Sequence, residues 1–219
     1  PILVLALVLA LWAAVVRLNH IPPYVLPAPG LVFATLFSDG ALLMHSLWVT
    51  LVTTFEGFAL AAVGGIGLAI LFSQSRVVEY SLYPYAVTLQ VTPVVAIAPL
   101  LLIYLPQHLA VLACAWIVAF FPVLANTTLG LNSVDHNLLA LFELYKASRW
   151  QVLWNLKLPA ALPQIMTGLQ VALPLSLIVA VVTEMLMGGY GLGGAMMTAS
   201  RFANSTSVFA GIVEIAAVG

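Results

Sequence analysis

Charge is what this sequence lacks most. Six Lys and Arg and seven Asp and Glu make up 6% of its 219 residues, whereas soluble globular chains carry about 25% charged residues. So few charges cannot coat a water-facing surface, which excludes a soluble globular protein. A net charge of −1 excludes the basic footprint of a nucleic-acid-binding surface. The single cysteine, Cys114, lies in an apolar run, which excludes a disulfide framework within the chain. His20, His45, His108 and His136 have no metal-ligand spacing, so no metal site is expected. No G-x-x-x-x-G-K-[ST] phosphate loop occurs, nor any Ser- or metal-based nucleophile constellation. Neither catalytic residues nor a cofactor site are therefore expected in this chain.

What is present is apolar: 63% hydrophobic residues and a mean hydropathy of +1.16. In a bilayer only helices and closed barrels satisfy their own backbone groups. Barrel strands alternate in polarity, but Pro1–Val16 and Pro93–Leu105 are continuously apolar. An all-α integral membrane protein is expected, one transmembrane domain over residues 1–219. It has about six spans, near 1–18, 42–72, 82–105, 109–131, 158–187 and 208–219. The sequence starts without Met inside one apolar stretch and stops inside another. A spanning helix needs about 20 residues, so the first and last spans are expected to be truncated.

Prolines and glycines punctuate these spans. The connector Ile21–Gly30 holds four prolines and forbids a regular helix; a short amphipathic stretch, Leu31–Phe37, follows and leads to a turn at Ser38-Asp39-Gly40. Gly57, Gly64, Gly65 and Gly67 give the second span a face that a neighbouring helix can approach closely. Ser73–Glu79 reads as a polar break. Pro84, Pro93 and Pro99 should kink or break the third span. The Gly188–Gly194 run, which opens a Gly-rich segment reaching Ser207, reads as a flexible extracytoplasmic turn or gate. Lys and Arg residues set orientation: Arg76, Lys146, Arg149 and Lys157 lie on one side, and only Arg17 and Arg201 on the other. Loops 73–79 and 132–157 are therefore expected in the cytoplasm. Tyr24, Trp48, Tyr83, Tyr104, Trp150 and Trp154 lie near span ends and fit anchoring in membrane lipid.

The 132–157 loop holds Asp135, Glu143, Lys146, Arg149 and Lys157, interleaved with Leu141, Phe142, Tyr145, Trp150, Leu153, Trp154 and Leu156. Short amphipathic helices along a membrane face have this pattern. The segment from Lys146 to Pro163, Lys-Ala-Ser-Arg-Trp-Gln-Val-Leu-Trp-Asn-Leu-Lys-Leu-Pro-Ala-Ala-Leu-Pro, resembles the cytoplasmic "EAA" loop of binding-protein-dependent ABC importer permeases. Aligning the family's closing Ile-x-Leu-Pro on Leu156, Leu158 and Pro159 sets its glycine on Lys146 and its Glu-Ala-Ala on Ala140-Leu141-Phe142. Both of these depart from the family pattern. Glu143 lies one helical turn beyond the expected glutamate, and Lys146 lacks glycine's easy access to a left-handed turn.

Other segments are similar to the nitrate/sulfonate/taurine branch, which also includes importers of thiamine-precursor pyrimidines and riboflavin. They are Ile21–Pro29, Glu56–Ala61, Pro93–Leu100, Phe120–Thr127, Thr183-Glu-Met and Gly191-Leu-Gly. The resemblance implies a permease in the bacterial inner membrane, multi-pass and paired as a homodimer. It implies two further partners: a separate ABC ATPase that carries ATP and Mg, and an extracytoplasmic substrate-binding protein. It also implies a coupling element comprising Ala140, Glu143, Lys146, Ala147, Ser148, Arg149, Leu156, Leu158 and Pro159. The cargo would be a small organic or inorganic solute: a sulfonate-, nitrate- or taurine-like anion, or a pyrimidine or flavin vitamin precursor.

Gln90, Thr92 and Pro93 sit mid-span, where a broken helix can present backbone groups to a substrate or can simply kink for packing. With Glu184 they are the substrate-pathway candidates. Glu56, Glu184 and Glu214 lie in or near spans, where carboxylates act as proton or cation sites or are hydrogen-bonded within the bundle. The alternative function is an ion- or proton-coupled carrier or channel using these glutamates. Its flux would be independent of any ATPase and lost in Glu→Gln variants.

Overall fold

The computed structural model describes residues 2–218; Pro1 and Gly219, the outer ends of the expected first and sixth spans, lie outside the described residues. Among those residues there are helices and turns but no strand. In chain order the helices are α1 (Ile2–Leu18), α2 (Pro29–Ser38), α3 (Gly40–Gln74), α4 (Arg76–Val91), α5 (Val94–Tyr104) and α6 (Gln107–Asn132). Then come α7 (His136–Leu144), α8 (Arg149–Val152), a π-helical turn at Leu153–Lys157, α9 (Leu158–Met187), α10 (Gly191–Arg201) and α11 (Ser205–Val218).

Among the described residues, three helices are long and apolar enough to cross a membrane: Gly40–Gln74, Gln107–Asn132 and the continuous stretch Arg149–Met187. They match the expected second, fourth and fifth spans. The expected third span is α4 plus α5, bent by 96° at Thr92-Pro93. Pro93 has no N–H to continue the ladder and disfavours helical geometry in the residue before it. α1, α2 and α11 are shorter apolar helices. Among the described residues, length and composition thus support three spans, or four if the bent pair is one, and do not confirm the expected six.

The chain forms two compact units, Thr53–Ala180 and the remainder on either side of it. In the outer-sequence unit, Val32, Leu43, Leu47, Leu192, Met196 and Ala210 form the buried core. Trp12 stacks near Phe209, with ring centroids 5.7 Å apart. The Pro-rich connector is irregular, as expected, with Val25 N–H donating to the Pro22 carbonyl at 2.9 Å. α2 then starts with proline at its first position, where no amide is needed.

In the central unit the core is built of small side chains, among them Ala61, Ala69, Ala119, Ala161 and Ala172, with Phe72, Val123, Leu124, Leu131 and Leu153. Close backbone approach explains this choice. A Cβ added to Gly65 would lie 3.0 Å from Val123 Cγ1, and one on Gly130 would lie 3.0 Å from Ala161 Cα.

Two expectations are corrected. The polar break Ser73–Glu79 contracts to Ser75 alone, whose hydroxyl caps α4 by accepting from Val78 N–H. Polar side chains that cap and pair locally extend helices rather than interrupt them. The Gly188–Gly194 run is likewise no flexible turn throughout, because α10 starts at Gly191, with Leu192, Gly193 and Gly194 buried.

Candidate functional site

The loop with the coupling resemblance is a tightly capped helix pair. Asp135 caps α7, its Oδ1 accepting from Asn137 N–H at 2.7 Å. At the other end Lys146 N–H donates to the Glu143 carbonyl at 2.9 Å, and Ala147 N–H donates to the Phe142 carbonyl at 3.0 Å. These two bonds define a Schellman motif, whose pivotal residue is left-handed and usually glycine. Here that residue is Lys146, at φ 51°. The position where the family pattern has glycine therefore keeps the glycine conformation without the glycine. Ser148 then opens α8 with a capping box: its hydroxyl accepts from Gln151 N–H at 3.3 Å, and Gln151 Oε1 accepts from Ser148 N–H at 2.7 Å.

Next, α8 runs without a break through the π turn into α9. Pro159 offers no amide to the carbonyl four residues back and crowds it. The π turn widens the helix just before it, with Leu158 N–H reaching the Leu153 carbonyl five residues back. Leu153 and Leu156 anchor this turn in the core. Ala140, Glu143, Lys146, Ser148, Arg149 and Pro159 are exposed, Ala147 and Leu158 are half-buried, and Leu156 is buried. At the tip, Leu144 and Tyr145 are each 78% exposed. Beside the pair lies a cleft of about 520 Å³ lined by Arg76, Leu139, Glu143, Ala147, Arg149 and Lys157.

The α4–α5 break borders a second cavity, of about 290 Å³. Gln90 and Thr92 line it with Val94, Ile117, Phe121, Leu175 and Val179. Pro93 is the N-cap residue of α5 at the break itself. No lining residue is charged.

The fourth pathway candidate, Glu184, is elsewhere and is fully buried. Thr50 Oγ1 donates to its carboxylate at 2.8 Å, and Gly193 N–H donates to Oε2 at 3.0 Å. Thr50 Oγ1 in turn accepts from Leu192 N–H at 2.8 Å. The carboxylate thus closes the first turn of α10, a favourable place for negative charge. Gly191 has φ +63°, and a Cβ there would overlap the carboxylate; a Cβ on Gly193 would lie 2.3 Å from the Val181 carbonyl oxygen. These glycines serve close packing around Glu184.

Glu56 pairs with His108, Oε2 to Nε2 at 2.7 Å, both side chains being partly exposed. This partnership and that of Thr50 with Glu184 span 52 and 134 residues of sequence, and no periodicity announces them. The capping box Ser148-Arg-Trp-Gln151 was a sequence signal available and unused.

The sequence pattern of the binding-protein-dependent transport system inner membrane components matches residues 61–219. The chain belongs to that family. It is a multi-pass inner-membrane permease of an ABC importer, a class that works with an ATPase and a substrate-binding protein. A probable ABC transporter permease protein of Haemophilus influenzae is 32% identical over 219 residues, covering 100% of this chain and 89% of that relative. The riboflavin transport system permease protein RibX of Chloroflexus aurantiacus is 33% identical over 219 residues, covering 98% and 81%. A putative aliphatic sulfonates transport permease protein, SsuC of Bacillus subtilis, is 31% identical, covering 98% and 79%. The crystal structure of an amino acid ABC transporter with histidines shares the fold, with a TM-score of 0.67 at 17% identity over 85% of this chain and 89% of that one. Family membership sets aside the carrier or channel alternative, and the relatives are named as transport subunits rather than enzymes.

Proposed function

We propose that this permease takes its driving force through residues 140–159 from a separate ATPase that binds and hydrolyses ATP. The observation that carries the reading is the α7–α8 pair. Capped at Asp135 and Ser148 and turned at Lys146, it presents Leu144 and Tyr145 to a partner. Its second helix continues without a break into the long apolar stretch Arg149–Met187. Loops 73–79 and 132–157 face the cytoplasm on this reading, and two copies of the chain line one substrate path.

The candidate path is the cavity at the Gln90–Thr92 break. An anion would lose its hydration there with no charge to replace it. Its aliphatic and aromatic lining with two polar side chains suits a small ring-bearing solute with a few hydrogen-bonding groups. This favours a pyrimidine- or flavin-like vitamin precursor over a sulfonate, nitrate or taurine.

The test is crosslinking. Single cysteines at Lys146 and Ser148, in a Cys114→Ala background, should crosslink to the ATPase in the assembled transporter. Uptake that persists while neither position ever crosslinks would overturn the assignment.

A further inference from the structure

The cleft beside α7 and α8 gathers half of the basic residues of the chain. Arg76, Arg149 and Lys157 line it, out of six Lys and Arg in all. Glu143 is the one acidic residue of its lining. Arg76 is partly answered by Glu79, with 3.7 Å between the charged atoms. Among the described residues, Arg149 and Lys157 have no ion pair. Lys157 is half-buried and close enough to Arg76 to be repelled by it. Three cations line the cleft against two carboxylates, Glu143 in the lining and Glu79 beside Arg76, which leaves a net positive charge there to attract an anion.

The depth of the cleft narrows the ligand. Lys157 immediately precedes α9, Gln74 closes α3 and Arg76 opens α4, so the cleft lies where apolar helices leave the hydrocarbon. Trp150 and Trp154, on the same α8 and π turn, are 61% and 65% exposed, and such residues sit at headgroup level. Basic pockets at this depth suit lipid headgroups. Arg matches a phosphate with paired N–H donors, and Lys adds a point charge.

We propose that the Arg76–Arg149–Lys157 cleft binds a phosphate group, that of an anionic phospholipid headgroup. The placement at the span ends does not depend on which side of the membrane is cytoplasmic. The proposal goes beyond the coupling reading and fails separately from it.

The experiment is native mass spectrometry of the transporter with its ATPase, released from bilayers of phosphatidylglycerol and phosphatidylcholine. Wild type should retain phosphatidylglycerol preferentially. Removing one basic residue, as in Lys157→Gln or Arg149→Gln, should lower that retention about fivefold. Lys157→Arg should restore it, which separates charge from folding. Displacement by millimolar inorganic phosphate would support phosphate chemistry. Phosphate that protects the cleft while phosphatidylglycerol shows no preference would replace the lipid with a free anion and overturn the headgroup assignment. Equal retention in wild type and both Gln variants would overturn the proposal altogether. So would unchanged retention with weakened ATPase binding, which would make the cleft a socket for a protein carboxylate. Lost crosslinking at Lys146 with lipid retention intact would count against coupling and leave this proposal standing.

Discussion

Replacing Glu184 by Ala should be among the most damaging single changes in the outer-sequence unit. The side chain is fully buried. It accepts one bond from Thr50 Oγ1 and one from Gly193 N–H, at 2.8 and 3.0 Å. Each donor orphaned in a buried site costs about 1–3 kcal/mol. Thr50 Oγ1 can fall back on the Ser46 carbonyl at 3.2 Å, so Gly193 N–H is the orphan. With a cavity term of about 1–2 kcal/mol, the loss is roughly 2–5 kcal/mol in all. Hydrogen bonds between helices in bilayers average nearer 0.6 kcal/mol, which argues for the lower half of that range. About 3 kcal/mol corresponds to a fall of roughly 6–12 °C in the unfolding midpoint of a chain this size.

Glu184→Gln keeps the shape and one acceptor oxygen, so its loss should be about 1–2 kcal/mol. The stronger test is coupling with Thr50. Thr50→Val removes the hydroxyl that links Glu184 to Leu192 N–H. The Glu184→Gln, Thr50→Val double variant should therefore lose less than the sum of the singles, with an interaction energy of about 1 kcal/mol. Thermal unfolding in one detergent, followed by intrinsic fluorescence, measures all four members of the cycle. If Glu184→Ala unfolds within about 1 °C of wild type, or the cycle is additive, the carboxylate does not hold the α9–α10 turn as the geometry says.

Five further outcomes follow from the same structure. Lys146→Gly should slow hydrogen exchange across residues 147–152, stabilising the Schellman turn by about 0.5–1 kcal/mol. A left-handed L-residue costs about 1–2 kcal/mol, and glycine's larger unfolded-state entropy offsets part of that gain. Gly65→Val should destabilise by 2 kcal/mol or more, since even a Cβ there sits 3.1 Å from Leu124 N. Gly67→Ala, with nothing within 4 Å of its Cβ, should stabilise by up to about 1 kcal/mol in the same melts. Gln90→Leu with Thr92→Val should raise the KM for uptake about tenfold or more, with ATPase coupling intact. Glu56→Gln should leave ATP-driven uptake within about twofold in vesicle transport, because the Glu56–His108 pair is a partly exposed contact.

The all-helical membrane architecture was legible because scarcity of charge is a property of the whole chain, and no local detail can reverse it. The break at Pro93 was legible because a missing amide acts wherever proline falls. Signals that depend on neighbours far along the chain were not. Gly191 and Gly193 looked like flexible linker residues, yet the backbone passes so close to Glu184 and Val181 that a side chain would overlap them. Lys146 looked like a lost turn, but the two Schellman bonds hold it left-handed without glycine. Ser73–Glu79 looked like a loop because its residues are polar. The structure spends that polarity on Ser75 as a cap and on the Arg76–Glu79 pair.

Within the central unit, α6 and α9 join the proposed coupling element to the candidate cavity. α8 continues through the π turn into α9, so a push on α8 is a push on the start of α9. Close contacts tie α9 to α6. A Cβ on Gly130 of α6 would lie 3.0 Å from Ala161, and one on Gly168 of α9 would lie 3.1 Å from the Pro122 carbonyl oxygen. Helices packed this closely move together, because interiors at this density do not deform smoothly. Farther along the same pair, Ile117 and Phe121 of α6 and Leu175 and Val179 of α9 face the break that holds Gln90 and Thr92. On the proposed reading, movement at Lys146 reaches the cavity through two glycine-tight contacts. Widening those contacts should therefore uncouple ATP hydrolysis from uptake while leaving both the coupling helices and the cavity residues intact. Gly168→Ala is the smallest change that does so, and it should lower solute moved per ATP hydrolysed without lowering the hydrolysis rate itself.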